Sequence, residues 1–320
     1  MRHKTMSNGI AERWRQLPGG YKIAAAGILA LLLIGSLWGS GTVDVDTVRN
    51  SWSGISDEAS TGGDGAIAGG MPLRIMFIGA SMVLGDPPQS AFRMRLREWL
   101  VSLGNPVNCV GTNRFGNFKD NDVQAFAATP VKILHEKAME AVPQMQPNLI
   151  IINAGSSDCF QEGHWGSAHA LDYTRDLVDF LFEASPNTTV ILSTLVMSPD
   201  EKKERCIKSF NAQIRQVAID VRREGKHIAM AEQHYDQGLP GRVTAEYIKS
   251  DDMHPTFEGW EMMGEIFKES IREVDGNGWL QAPPQNGIMD DGDAERDAEE
   301  KGKSQNGKNM LRSRIVPRDR

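Results

Sequence analysis

Between residues 72 and 275 the chain alternates short apolar runs with longer segments of helical periodicity. Runs rich in Ile and Val occupy residues 73–78, 148–153, 189–193 and 227–231, each bounded by Gly, Pro, Asn or Asp. Unbroken apolar runs of this length match strands buried on both faces. Amphipathic helical patterns lie between and after them, at residues 89–103, 130–142, 168–184, 201–224 and 256–274. The neighbouring Met262 and Met263 read as core filling. Strand–helix repetition of this kind predicts an α/β domain with a parallel sheet wrapped on both sides. Ligands of such sheets meet the carboxyl ends of the strands, so chemistry is to be sought in the turns that follow the apolar runs.

Outside this region the patterning changes. Residues 23–38 read IAAAGILALLLIGSLW, an apolar run without a charge, near the lower edge of the roughly 17–25 residues that span a membrane. Arg2, Lys4, Arg13, Arg15 and Lys22 precede it, while Asp44 and Asp46 follow. The positive-inside rule then predicts a cytoplasmic basic segment at 1–22, a transmembrane signal anchor at 23–39 and a lumenal or extracellular remainder, as in a single-pass type II membrane protein. Cleavage of the run as a secretory signal, giving a secreted protein, is the alternative. Residues 40–71 are rich in Gly, Ser, Thr and Asp and predict a flexible stalk. Residues 283–320 carry an acidic block, then a basic one, with few large apolar residues, and predict a disordered charged tail. The compact domain is thus expected at 72–282.

Composition narrows the function. A net charge of -7 and a pI near 5.6 argue against a nucleic-acid binder, which needs a basic face. Three scattered cysteines, Cys109, Cys159 and Cys206, exclude a zinc cage and allow at most one bridge and one free thiol. His164 and His169 flank Trp165, but no carboxylate or cysteine completes a metal-ligand set. No metal, cofactor or nucleic-acid partner is expected, and a monomer is. Asn187-Thr188-Thr189 is an N-glycosylation sequon, usable if the domain is lumenal.

Four candidate elements fall on the expected sheet edge. Gly79-Ala80-Ser81 follows the first apolar run and presents a serine on a tight strand-to-helix turn; G-x-S-x-G is not the pattern, because Val83 stands where the last Gly would be. Gly111 follows the run 107–110 and offers an unhindered backbone N–H, and Gly155-Ser156-Ser157-Asp158 follows the run ending at Asn153. Acyl transfer needs such donors aimed at the oxygen that becomes negative. Asp251-Asp252-Met253-His254-Pro255 precedes the last helical segment. An Asp three residues before a His can accept from one ring nitrogen and leave the other free as a general base. Asp251 has better geometry for this than the adjacent Asp252; equally, the two aspartates can cap the helix starting near Thr256. Taken singly each element is an ordinary turn; the order serine, donor loop, donor loop, Asp–His points to a serine hydrolase.

The segments MPLRIMFIGASMVLG, FRMRLREWLVSLGNPVNCVGTNRFG, PNLIIINAGSSDC and DDMHPTFEGWEMMGEIF resemble, in order, the four blocks of the SGNH (GDSL-like) hydrolases. More narrowly, they are similar to fungal carbohydrate esterase family 3 and its acetyl xylan esterase relatives. The resemblance covers roughly residues 72–275. It implies a flavodoxin-like three-layer α/β/α sandwich, metal-free ester hydrolysis, Ser81 as nucleophile, Gly111 as oxyanion donor, and Asp251 with His254 completing a triad. It also implies that Cys159 and Cys206 pair in an oxidising compartment. Two departures stand out. Ala80 replaces the usual Asp, and Ser157 replaces the Asn that serves the family as side-chain oxyanion donor. The expected activity is slow hydrolysis of small acyl esters, acetyl groups on carbohydrate foremost. The alternatives are an inactive carbohydrate-binding module and a lipid-directed esterase.

Overall fold

The computed structural model describes residues 65–86, 91–160 and 168–315. The expected basic segment and anchor, most of the stalk, His164 and Trp165 lie outside these residues. Among the described residues no helix is long and apolar enough to cross a membrane.

The strands are β1 (Leu73–Gly79), β2 (Val107–Cys109), β3 (Asn113–Arg114), β4 (Asp122–Ala125), β5 (Leu149–Asn153), β6 (Thr189–Ser193) and β7 (Ile228–Ala231). The helices are α1 (Ser81–Leu84), α2 (Ala91–Ser102), α3 (Val131–Met145), α4 (Ser156–Phe160), α5 (Ala170–Ala184), α6 (Glu201–Arg223), α7 (Phe257–Gly276) and α8 (Gly292–Ile315). Strands β2, β1, β5, β6 and β7 pair in that order, all parallel. Beyond the end of β2, β4 continues along the same side of β1 and carries the antiparallel β3. Counting the five main strands, the order is 2-1-3-4-5, the flavodoxin-like doubly wound arrangement. Its direction of winding reverses between β1 and β5. In sheets of this order, ligands bind at that point, outside the strands' carboxyl ends.

Alternation along the strands divides the interior in two. Leu73, Ile75, Phe77, Leu149, Ile151 and Ile191 face α2 and α7. Met76, Ile78, Ile150, Ile152, Val190 and Leu192 face α3, α5 and α6. Because both faces are covered, β5, β6 and β7 read as near-continuous apolar runs, as does β1 apart from Arg74, and the sheet lies between two helical layers. Met263 is core, and Met262 packs against it from a partly buried position.

At the ends of the domain the chain departs from expectations drawn from composition. Residue Ile67, in the expected stalk, is buried in the core; Asn105 accepts from its N–H and donates to its carbonyl. Nor do the described residues after 282 form a disordered tail. Arg74, fully buried, donates to the carbonyls of Pro284 and Ile288, while Asn148 donates to that of Gln281. Helix α8 follows, and its first turns pair with the domain: Arg97 with Asp293, Arg114 with Glu299, Lys119 with Asp297, and Asp122 with Arg296. Polar side chains here replace the apolar burial on which the expectation of disorder rested.

Candidate active site

Ser81 opens α1, a single turn entered directly from the carboxyl end of β1. Gly79 is required at the end of the strand, because a Cβ there would collide with the Asn153 carbonyl and the Val83 side chain. The last carbonyls of this short turn have no helical continuation and are met by side chains instead. Arg93 Nε donates to the Val83 carbonyl at 2.8 Å, and Trp260 Nε1 to that of Met82 at 3.3 Å. The Ser81 turn is therefore held by both α2 and α7.

The DDMHP segment folds into a closed loop before α7. Lys249 N–H donates to the His254 carbonyl, Thr256 N–H to that of Tyr247, and Asp252 N–H to that of Lys249. Asp252 takes a left-handed conformation, φ 56°. Asp251 Oδ1 accepts the N–H groups of Met253 and His254, both at 2.9 Å, and its Oδ2 lies 2.7 Å from His254 Nδ1. His254 Nε2 lies 2.9 Å from Ser81 Oγ. Burial raises the Asp251 carboxyl, but hydrogen bonds from the His254 ring and the two backbone amides outweigh it and hold the group below the usual carboxylate range. Asp251 is thus an anion that only accepts, so Nδ1 carries the proton and Nε2 is left to accept from the serine hydroxyl. Helix α7 is capped by Thr256, whose hydroxyl accepts from Gly259 N–H; neither aspartate caps it.

The two expected donor loops leave strands on either side of β1, which β2 pairs only as far as Ile75 and β5 as far as Gly79. Gly111 leaves β2 on one side, pressed so closely against β4 that a Cβ would collide with the Val123 carbonyl. On the other side, Gly155 leads from β5 into α4 at φ 121°, with its Cα against the Phe210 ring. Ser157 stands in the first turn of α4, 5% exposed. Asp158 Oδ2 accepts from Val131 N–H and ties α4 to the start of α3. Cys159 and Cys206 form a disulfide between α4 and α6, with Cα atoms 5.6 Å apart. Cys109 is free and buried; burial first, then the Asp120 carboxylate, push its thiol well above the ordinary range.

Other expected residues fall elsewhere. His169, at the start of α5, is exposed with Nδ1 3.9 Å from Asp172. Asn187 lies in the turn before β6 and donates to the Ala282 carbonyl.

Several residues around the site were not singled out from the sequence. Arg93, fully buried and lowered by burial to about 10, also donates to the Phe115 carbonyl at 2.6 Å. It thereby joins the Ser81 turn to the loop after Gly111. Arg97 pairs with buried Asp120 at 2.8 Å, and Asp120 accepts from Cys109 N–H just ahead of Gly111. These two arginines stand four residues apart beside Phe92 and Leu96 in the apolar stripe of α2, a position at which a charge implies a buried partner. Ser198 and Glu204, which brace the Asp–His loop, leave only the trace of a helix start at Asp200.

No family model matches this chain, and no curated protein does. Solved structures do. A family 3 carbohydrate esterase of Clostridium thermocellum is similar at TM-score 0.55 and 18% identity, covering 64% of this chain and 98% of that one. One from Talaromyces cellulolyticus is similar at 0.55 and 15%, covering 64% and 99%. A lipase/acylhydrolase from Enterococcus faecalis follows at 0.50 and 16%, covering 67% and 99%. At 15–18% identity the likeness is one of fold: about two thirds of this chain is folded as in these esterases and acylhydrolases.

Proposed function

We propose that this chain is a serine esterase that hydrolyses small acyl esters, acetyl groups on carbohydrate foremost, through a covalent acyl-enzyme. The observation that carries this reading is the hydrogen-bonded line from Ser81 Oγ through His254 to Asp251. Ser81 Oγ attacks the ester carbonyl as its proton passes to His254 Nε2, and the carbonyl oxygen becomes an oxyanion. Collapse breaks the ester C–O bond; His254 returns the proton to the departing alcohol, leaving the acyl group on Ser81. A water molecule then attacks the acyl carbon, giving its proton to the same nitrogen, and the acid leaves as Ser81 recovers its hydrogen. Asp251 keeps Nδ1 protonated and offsets the positive charge on the ring in both halves.

The oxyanion is assigned to the N–H groups of Ser81 and Gly111 and the Ser157 hydroxyl. The order of these loops along the chain, which matches the blocks of the family resembled, supports that assignment, although β2 itself pairs with β1 only as far as Ile75. Substrate preference is drawn from the family 3 carbohydrate esterases that share the fold. Ser157 in place of a longer amide favours a second reading, a weakly active module that mainly binds carbohydrate. The proposal includes the anchor at 23–39 and glycosylation at Asn187; the Cys159–Cys206 bridge supports the oxidising compartment that both require. Detection of the chain in membranes rather than medium, with a mobility shift on deglycosylation, is the expected fractionation result.

The decisive assay compares p-nitrophenyl acetate hydrolysis by the wild type and by Ser81→Ala. The wild type is expected to exceed the variant by at least about 10³-fold; equal rates would sink the esterase reading and leave the binding module. Acetate release from acetylated oligosaccharides, measured against longer-chain esters, then tests the choice of acyl group.

A further inference from the structure

The Asp251–His254 pair hangs on a surface loop. The Asp251 side chain is 47% exposed, so packing alone does little to fix its carboxylate. The left-handed Asp252 between them, at φ 56°, adds backbone strain, since non-glycine residues rarely adopt this conformation. Something outside the loop must hold this conformation.

That support comes from the start of α6. Ser198, 1% exposed, donates its hydroxyl to the Asp252 carbonyl at 2.7 Å and accepts from Asp200 N–H at 3.2 Å. Its own N–H donates to Glu204 Oε2 at 2.9 Å. The other oxygen of Glu204 is gripped by Lys208 Nζ at 3.3 Å, by Tyr235 OH at 3.4 Å, and by Nε2 of the fully buried His234 at 3.2 Å. His234 Nδ1 faces Asp236, 3.1 Å from the backbone nitrogen and 3.2 Å from the carboxylate. Burial raises the Glu204 carboxyl, but the His234 ring and the Ser198 amide hold it below the ordinary range, so it is an anion that accepts from all of them. A second tie, Lys203 Nζ to the Asp251 carbonyl at 3.2 Å, comes from the same helical turn.

We propose that Ser198, locked in place by Glu204, is a positioning residue that holds the strained Asp252 link so that Asp251 and His254 stay aligned on Ser81. It touches no reacting atom and acts through the backbone of the loop. The inference rests on the esterase reading for its catalytic consequence, though not for the alignment itself.

The test uses the full chain with Ser198→Ala and Ser198→Thr, the latter keeping the hydroxyl. In Ser198→Ala, kcat for p-nitrophenyl acetate is expected to fall about tenfold with KM within about twofold, and Ser198→Thr to recover most of the loss. Independently of turnover, carboxyl ¹³C NMR should show Asp251 titrating at higher pH in Ser198→Ala than in the wild type, because its hydrogen bonds loosen. An unchanged Asp251 titration would overturn the proposal, and so would equal proportional losses in kcat and in affinity. If Ser198→Ala does not fold, Glu204→Gln is read in the same way. A wild type no faster than Ser81→Ala defeats the esterase reading alone, since the Asp251 titration still reports on the brace.

Discussion

Ser157 has a hydroxyl where the resembling family has a side-chain amide, and its place in the first turn of α4 puts it at the strand end beside Ser81. One oxyanion donor is worth a factor of about 10²–10³ in rate. Ser157→Asn is therefore expected to raise kcat at least about tenfold, with little change in KM, in steady-state kinetics on p-nitrophenyl acetate. An unchanged or lower rate would show that the hydroxyl is already the fitting donor. At this scale the sequence was informative where chemistry is local. Asp251 and His254 are three residues apart, and Ser81 directly follows an apolar run, so their relation was legible. Ser198 was not, because its contact with Asp252 spans 54 residues and its hydroxyl resembles any other helix-start serine until the chain is folded.

Elements with an apolar face were legible for the same physical reason that they form. Strands β1, β5, β6 and β7 and helices α2, α3, α5, α6 and α7 appear within a few residues of the expected bounds, since burial both writes the pattern and stabilises the element. The short α1 and α4 lack enough turns to show a period. Helix α8 has no apolar stripe at all; its first turns are held by charges placed on α2, β3 and β4, which no local window contains. Ending the chain at Gln285 removes these partners and leaves Asp122, 9% exposed in its side chain, without Arg296. Arg114 still pairs with Asp122 at 3.1 Å, so the charge is not orphaned, and losing one charged hydrogen bond costs about 1.5–3 kcal/mol. For a domain of this size, calorimetry should then show melting lowered by about 3–12 °C. A melting temperature within about 2 °C of the full chain would mean that α8 is dispensable.

For the molecule as a whole, the Cys159–Cys206 bridge closes a loop with a sequence separation of 47 across the helical layer that backs the site. On the loop-entropy account such a closure contributes about 3–4 kcal/mol. Reduction under native conditions, or Cys206→Ser, should therefore lower the melting temperature by about 6–15 °C. Because α4 carries Ser157, the same change should slow turnover more than it weakens binding, as a split between kcat and KM would show. If the melting curve does not move, the bridge contributes no net stability.

The hydrogen bond between Ser81 and His254 joins residues 173 positions apart. During synthesis the serine emerges long before its base exists, and every intervening strand must be laid down before the two can meet. A nascent chain, or a fragment cut anywhere between α2 and α7, carries a serine with nothing to take its proton. On the proposed mechanism, reactivity at Ser81 therefore reports that the loop before α7 has docked, and a fluorophosphonate probe of that serine would count molecules folded through α7 rather than translated ones.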